Sequence, residues 1–157
     1  MDKQTEYTAP MEELMPLIRE SLAQGKTVRL TPKGTSMLPM LRPDRDSVEL
    51  SPITGRLRKY DLPLYQRRDG SFVLHRIVRV GENYTCRGDH QYVDELGIEQ
   101  TQLIALVTAF VRSGKLHRVD SLPYQLYCRL WVGSCGLRRF VRRCIRFLHR
   151  RLGGGKK

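Results

Sequence analysis

The stretch Phe72-Val73-Leu74-His75-Arg76-Ile77-Val78-Arg79-Val80 is rich in β-branched and apolar residues and follows the turn pair Asp69-Gly70. An Asp-Gly pair before such a run is typical of a β-hairpin, because glycine readily adopts the positive φ that tight turns require. Gly81-Glu82-Asn83 marks a second turn, and Tyr84-Thr85-Cys86 follows it. These residues predict consecutive antiparallel strands.

Further short segments on both sides alternate apolar and polar residues with the period of a half-buried strand, at 28–30, 48–50 and 62–65. Residues 103–111 form a longer apolar run that fits either a buried helix or a strand. Their β-branched content and the Ser113-Gly114 pair behind them favour a strand. Several short strands joined by turns predict a mainly β fold, α+β overall, with a curved antiparallel sheet.

Helical periodicity appears near the start of the chain. Apolar residues recur at helical spacing between Pro10 and Gly25 and predict a short helix at about residues 11–24. Pro16 within it predicts an irregular first turn or a later start.

Helical periodicity returns near the end of the chain, where residues 122–131 and 137–152 predict two more helices. The last of them carries an apolar stripe, and Gly133-Ser134-Cys135-Gly136 separates the two, so they predict a helical hairpin. We divide the chain into an N-terminal helix (1–26), a β domain (27–118) and a basic amphipathic tail (119–157).

The basic charge of the chain belongs to its tail. Residues 112–157 contain 13 Lys and Arg against one acid, whereas residues 1–111 contain 15 Lys and Arg and 15 Asp and Glu. Because the β domain carries no net charge to hold a phosphate backbone, we do not expect it to bind nucleic acid.

Cysteine usage gives no metal motif. The four cysteines, at 86, 128, 135 and 144, lack the closely spaced pairs of structural zinc sites. We therefore expect no metal and no other cofactor, and reduced thiols in a cytosolic setting.

Membrane-targeting signals are also missing from the sequence. Met1-Asp2-Lys3-Gln4 leads into acidic residues without an apolar core, so we expect no cleavable signal peptide. No apolar run reaches the roughly 18 to 20 residues of a membrane-spanning helix.

Ser36 is a candidate nucleophile in the run Lys33-Gly34-Thr35-Ser36-Met37-Leu38-Pro39, and His75 follows 39 residues later. A serine hydroxyl becomes a useful nucleophile when a nearby base takes its proton, and histidine titrates near neutral pH. The segment Gly88-Asp89-His90-Gln91-Tyr92-Val93-Asp94-Glu95 supplies carboxylates that could orient an imidazole. The sequence thus predicts nucleophile, base and acid in that order.

Together these segments resemble the signal peptidase family, within the wider group that also holds the self-cleaving repressor proteases. The resemblance covers residues 28–112. It rests on Gly34-x-Ser36-Met37-x-Pro39, Asp46-Ser47-Val48, Tyr60-Asp61, Leu74-His75-Arg76-Ile77-Val78 and the Gly88-Asp89 box with Asp94-Glu95. Most bacterial members use lysine as the base and others use histidine. No lysine occurs between Lys59 and Lys115, so this chain resembles the histidine subtype.

The resemblance implies a serine endopeptidase with Ser36 as nucleophile and His75 as general base and then acid. It favours Asp94 as the carboxylate that orients His75, keeps Glu95 in reserve and packs Asp89 against the site. The residues that it places around the oxyanion and the substrate are Gly34, Thr35, Met37 and Pro39. The implied substrate is a secretory precursor or leader peptide, bound in extended form along a strand edge and cut after small residues.

Two features depart from the family. Gly34 occupies the position of a serine that helps to hold the oxyanion, a task that the backbone N–H of Ser36 or the Thr35 hydroxyl could take over. The usual membrane-spanning helix before the serine is also missing. These departures leave open a non-catalytic peptide- or membrane-binding module on the same fold. A self-cleaving regulator of the repressor type is also open, although a helix-turn-helix is not recognisable.

The last predicted helix combines arginines with its apolar stripe; we expect Arg138, Arg139, Arg142, Arg143, Phe140 and Ile145 to bind a membrane. A basic amphipathic helix near a tryptophan is typical of a segment in the interface of an anionic membrane. Two alternatives are a helix docked on the protein's own sheet with a solvated arginine face, and binding of nucleic acid or an acidic peptide. We expect peripheral attachment on the cytoplasmic side.

Overall fold

The computed structural model describes residues 10–152, with side chains described to residue 146. Within that range the chain is α+β, with antiparallel sheets, one helix before them and a pair of helices after them, as the sequence predicts. The elements are α1 (Met11–Ala23), β1 (Val28–Leu30), β2 (Ser47–Ser51), β3 (Pro63–Gln66), β4 (Phe72–Leu74), β5 (Arg76–Val80), β6 (Tyr84–Arg87), β7 (Glu95–Ile98), β8 (Leu103–Arg112), β9 (Lys115–Arg118), α2 (Leu122–Gly133) and α3 (Cys135–Leu152). Residues 1–9 of the predicted N-terminal segment 1–26 and residues 153–157 of the predicted tail 119–157 lie outside the described residues.

Helix α1 begins at Met11 and runs through Pro16, so the expected later start is wrong. Glu12 and Glu13 in its first turn favour the helix because carboxylates stabilise the positive end of the helix dipole. Its buried side chains, Met15, Ile18 and Leu22, recur at helical spacing and join the larger of two hydrophobic cores.

Strand β8 organises the larger sheet. The strand order is β1-β2-β8-β3-β4, and β9 pairs with the last four residues of β8, on the edge opposite β2 and past the end of β3. All these pairings are antiparallel. The prediction of a strand for residues 103–111 is therefore confirmed, and its buried residues Ala105, Val107 and Ala109 alternate as they should in a strand. Strand β9 was missed, although Ser113 and Gly114 both adopt the positive φ of a tight hairpin turn.

The smaller sheet has the order β5-β6-β7 and covers a second core around Tyr65, Ile77 and Tyr84. The chain passes from the larger sheet to the smaller one at His75, the single residue between β4 and β5. The stretch 72–80 is thus two strands in two sheets, joined at the candidate base.

The predicted tail divides into two parts. Helix α2 belongs to the body, because Tyr124 and Cys128 are buried in the larger core. Helix α3 follows after Ser134 alone and lies more exposed. Within the described residues, no helix is both long and apolar enough to cross a membrane.

Candidate functional site

Ser36 lies in a turn between β1 and β2 and is half-buried. Its neighbour Met37 and the nearby Met40 and Leu41 are buried in the larger core, so apolar packing fixes the turn from below. The carbonyl of Ser36 accepts a hydrogen bond from the backbone N–H of His90 at 2.8 Å. That contact joins the serine segment to the predicted Gly-Asp box.

Gly88 allows the two segments to approach closely. A Cβ at this position would lie 2.7 Å from the Ser36 carbonyl oxygen and 3.0 Å from the Ser36 Cβ, closer than side chains tolerate. The glycine is therefore required by contact with the candidate nucleophile. The sequence showed a Gly-Asp turn here but not this contact.

His75 is buried, with 2% of its surface exposed. Its Nδ1 lies 2.8 Å from Oε1 of Glu95, the first residue of β7. A carboxylate at this distance from one ring nitrogen orients the ring and selects which nitrogen carries the proton.

Glu95 is itself fixed by two further side chains. The hydroxyl of Tyr65 donates to Glu95 Oε2 at 2.8 Å, and Nε of Arg67 donates to the same oxygen at 2.8 Å. A second Arg67 nitrogen donates to Oε1. Tyr65 and Arg67 were not predicted as site residues; their spacing of two, which places side chains on one face of a strand, was the available signal.

The pKa values within this cluster move in opposite senses. Burial lowers the pKa of His75 below its ordinary value, outweighing the attraction of the Glu95 charge. For Glu95, burial alone would raise the pKa, but the hydrogen bonds from Arg67 and Tyr65 and the charge of His75 outweigh it and lower the pKa. At neutral pH the pair is therefore a neutral imidazole beside a carboxylate.

That charge state assigns the tautomer of His75. An ionised carboxylate only accepts hydrogen bonds, so Nδ1 of His75 must carry the proton and donate to Glu95. Nε2 is then the unprotonated nitrogen with a free lone pair. A neutral histidine in this tautomer can act as a general base at Nε2.

The expected role of Asp94 needs correction. Asp94 Oδ1 accepts from Nη1 of Arg87 at 2.9 Å and is partly exposed, whereas Glu95 contacts His75. Consecutive residues of an extended segment point to opposite faces, so only one of the two acids can meet the imidazole. Glu95, held in reserve, occupies the position expected of Asp94.

Asp89 packs against the site through a buried ion pair. Its carboxylate accepts two hydrogen bonds from Arg76, from Nε and from Nη2, each at 2.7 Å, and both side chains are almost fully buried. The hydroxyl of Tyr127 on α2 also donates to Asp89, at 3.0 Å. Among the described residues no hydrogen bond or ion pair joins Asp89 to His75, and Asp89 fixes the turn that touches Ser36.

The remaining donors of Arg76 bind α2 and the core. Nη1 donates to the Tyr124 hydroxyl at 2.8 Å and to Cys128 Sγ at 3.0 Å. Trp131 Nε1 donates to the Asp89 carbonyl at 2.8 Å. Helix α2 therefore holds Arg76 and Asp89, the two residues that support the candidate site, in place.

The serine and histidine segments converge without a direct bond. Ser36 touches Gly88 and His90, while Asp89 between them binds Arg76, the neighbour of His75. Within residues 10–152, no hydrogen bond joins the Ser36 hydroxyl to the His75 ring. Catalytic hydrogen bonds are often long or absent without substrate and tighten when it binds.

The residues expected around the oxyanion and substrate differ in exposure. Gly34, Thr35 and Pro39 are exposed, and a Cβ on Gly34 would meet no atom within 4 Å. Met37 is buried in the core, where it anchors the turn, and its expected contact with substrate stays a prediction. The space around Gly34 leaves the approach to Ser36 open.

A groove of about 890 Å³ leads to this approach. Helix α1 forms one wall, and β1 with the following segment as far as Gly34 forms another. Ser71 and Phe72, at the start of β4, also line it. Because β1 and β4 are the two edges of the larger sheet, both edges border the groove, which reaches Gly34, two residues before Ser36.

Several of the arginines expected to bind a membrane contact the body of the protein. Arg138 stacks on Trp131 at 3.8 Å, Arg142 lies over the Tyr92 ring at 5.3 Å, and Arg139 donates to the Tyr92 carbonyl. Three of the four arginines thus contact the body, while Arg143 is exposed. Phe140 and Ile145 are exposed as well. The predicted stripe residues 148 and 152 lie beyond the described side chains.

Comparison with family models, with curated proteins and with solved structures finds no match to this chain.

Proposed function

We propose that this chain is a serine endopeptidase of the signal-peptidase-like, histidine-base type, on a β-fold of that type. The contact between Glu95 and Nδ1 of His75 carries the proposal. It supports a neutral, oriented histidine with Nε2 unprotonated, beside the turn that presents Ser36. Glu95 takes the role of the orienting carboxylate, and Tyr65 and Arg67 position it.

The chemistry follows from these roles. When an extended peptide enters, Nε2 of His75 removes the Ser36 proton as Oγ attacks the scissile carbonyl, and Glu95 stabilises the imidazolium that forms. The backbone N–H of Ser36, with Thr35 beside it, supplies donors for the developing oxyanion. His75 then gives its proton to the leaving amine, and water hydrolyses the acyl-enzyme by the reverse roles.

The groove suggests how the peptide would bind. Strands β1 and β4 each have one edge without a strand partner among the described residues, and both border the groove. An extended segment can hydrogen-bond to such an edge, with alternate side chains entering the groove. This supports a precursor or leader peptide as the substrate class.

The tail supports a peripheral membrane location on the cytoplasmic side. The tail, residues 119–157, contains 10 Lys and Arg against one acid, and this positive charge suits the anionic surface of an inner leaflet. The near-neutral β domain gives no comparable reason to bind nucleic acid.

The proposal is tested by incubating candidate precursors from neighbouring genes with the purified chain and measuring their masses. We expect the wild type to cut a precursor at one bond and Ser36→Ala to leave it intact. His90→Ala is the matched control, because His90 is exposed and contacts Ser36 through its backbone N–H, which alanine retains. Equal cleavage by wild type and Ser36→Ala would make the proposal wrong.

One observation favours a second candidate, a peptide-binding module on the same fold. Ser36 and His75 are not hydrogen-bonded within the described chain, and Gly34 offers no side-chain oxyanion donor. Such a module would bind the precursor equally well with Ser36 or alanine and cut neither. Self-cleavage of the repressor type would appear in the same spectra as loss of mass from the chain itself.

A further inference from the structure

Helix α2 exposes a row of leucines. Leu122, Leu126 and Leu130 follow one another at intervals of four, which places them on one side of the helix. All three are more than half exposed, and Leu122 reaches 81%. Solvent-exposed leucines in a row have no role in the packing of the body.

The opposite side of α2 fixes its orientation. Tyr124, Tyr127, Cys128 and Trp131 bind Arg76 and Asp89 beside the candidate site. These four residues lie about half a turn around the helix from the leucines, at 100° per residue. The leucine row must therefore face away from the body.

Helix α3 exposes a second apolar row, formed by Leu137, Phe140, Val141 and Ile145, each at least 45% exposed. Its other side is turned toward the body, because Arg138 and Arg142 contact Trp131 and Tyr92. Three of the arginines expected to face a membrane, Arg138, Arg139 and Arg142, thus attach α3, and its apolar side chains point outward. We call the seven exposed side chains of both helices the helical-pair face.

Charge decides between a bilayer and a second copy of the chain as the occupant of this face. Residues 122–152, which form the two helices, contain eight arginines and no acid, so two copies pairing through this face would repel each other. Arg129 and Arg143 remain exposed beside the apolar rows. Long arginine side chains beside an apolar face can reach lipid phosphates while the apolar residues enter the acyl boundary.

We propose that the helical-pair face docks in the interface of an anionic bilayer, with α2 contributing as much as α3. This rests on the peripheral location proposed above and not on peptidase activity. Since α2 is also bonded to Arg76 and Asp89, the docked helix holds the candidate site at a fixed orientation, about one helix diameter, roughly 10 Å, behind the face.

The test is co-sedimentation of full-length protein with vesicles of phosphatidylcholine and phosphatidylserine, and with phosphatidylcholine alone. Ser36→Ala is used as the parent so that no cleavage intervenes. We expect Leu126→Asp with Leu130→Asp on α2, and Phe140→Asp with Ile145→Asp on α3, each to lower the partition coefficient about tenfold or more. Leu96→Asp with Leu116→Asp is the matched control, because both leucines are similarly exposed but lie on β7 and β9.

The possible outcomes distinguish the proposed peripheral membrane location from the proposed docking through the helical-pair face. A parent protein that leaves both vesicle types unbound overturns the peripheral location and the face together. Binding that is lost only in the α3 variant overturns the shared face while keeping the location. A dimer in light scattering that the α2 and α3 substitutions dissociate, without vesicle binding, would show that the face joins two copies. Circular dichroism of each variant checks that the fold is kept.

Discussion

Two neighbouring residues, His75 and Arg76, each meet a carboxylate in the interior, yet the two pairs differ in what remains unbonded. Every nitrogen of Arg76 donates to a partner, with Asp89, Tyr124 and Met40 among them, so the Arg76–Asp89 pair is saturated. His75 is bound at Nδ1, and its Nε2 is left with a lone pair. A basic side chain paired with a carboxylate thus serves structure when all its nitrogens are hydrogen-bonded, and chemistry when one nitrogen is kept available.

The largest effect on the cleavage rate should come from removing Nε2 of His75 or the Ser36 hydroxyl. We expect His75→Ala and Ser36→Ala each to abolish cleavage, by up to about a millionfold, and the double variant to add little, because members of a triad act as a unit. Single-turnover rates on a cleaved precursor measure this. Losses that multiply in the double variant would show that the two residues do not act together.

Replacing the orienting acid should have the next largest effect. Glu95→Gln keeps the shape but presents an amide to donors from His75, Tyr65 and Arg67, and we expect a loss of about 10³–10⁴ in rate. The matched control is Asp94→Asn, which touches only the Arg87 pair and should stay within about twofold of wild type. The reverse ranking would restore Asp94 as the orienting acid.

Breaking the saturated Arg76–Asp89 pair should lower the stability of the fold. Arg76→Leu leaves Asp89 buried without its cation and removes the anchor of α2, so we expect a loss of about 3–5 kcal/mol in unfolding free energy. Arg68→Leu, which removes an exposed pair with Glu99, should cost about 0–1 kcal/mol. Urea denaturation compares them. Equal midpoints for the two variants would mean that the buried pair contributes no more than the surface one.

These contrasts show what the sequence could predict. Ser36, His75 and the Gly-Asp box were located because each stands at a turn or strand end, which local patterns reveal. The choice between Asp94 and Glu95 depends on a register of one residue, set by the pairing of β6 with β7, and no local pattern fixes it.

The division of the tail into α2, which packs on the body, and the more exposed α3 also could not be predicted from local sequence patterns. Arginines beside an apolar stripe suggest a solvated basic face, but Arg138 and Arg142 both lie over the Tyr92 ring, which is distant from them in sequence. The polar tips of Tyr124 and Tyr127, which bind Arg76 and Asp89, gave α2 its place in the body. In the sequence, these tyrosines and the leucines at 122, 126 and 130 recur at helical spacing on opposite sides of α2. That pattern was the available indication that one side of α2 packs on the body.

A smaller effect should distinguish the two glycines near Ser36. Gly88→Ala forces a Cβ against the Ser36 carbonyl, so we expect about 1–3 kcal/mol of destabilisation and a displaced nucleophile. Gly34→Ala enters open space and should leave the midpoint within about 0.5 kcal/mol. Thermal unfolding and cleavage rates of the pair check this; equal behaviour would remove the Ser36–Gly88 contact from the site.

The effect of pH on stability and on the cleavage rate should be smaller than the effects of these substitutions. The folded pKa of His75 is lower than the unfolded value of about 6.5, so its contribution to stability is present above that pH and is lost as the pH falls through the folded pKa. The cleavage rate should fall over the same acid range and stay level above neutrality. A rate still climbing above about pH 9 would favour a lysine base, Lys59, which lies 5.1 Å from the Tyr60 ring.

The most direct measurement is ¹⁵N NMR of the His75 imidazole through a pH titration, assigned by comparison with His75→Ala. We predict a neutral ring protonated at Nδ1, with Nε2 unprotonated, and a pKa below about 6.5. A ring protonated at Nε2 at neutral pH, or one that titrates above about 6.5, would contradict the role of His75 as the base oriented by Glu95.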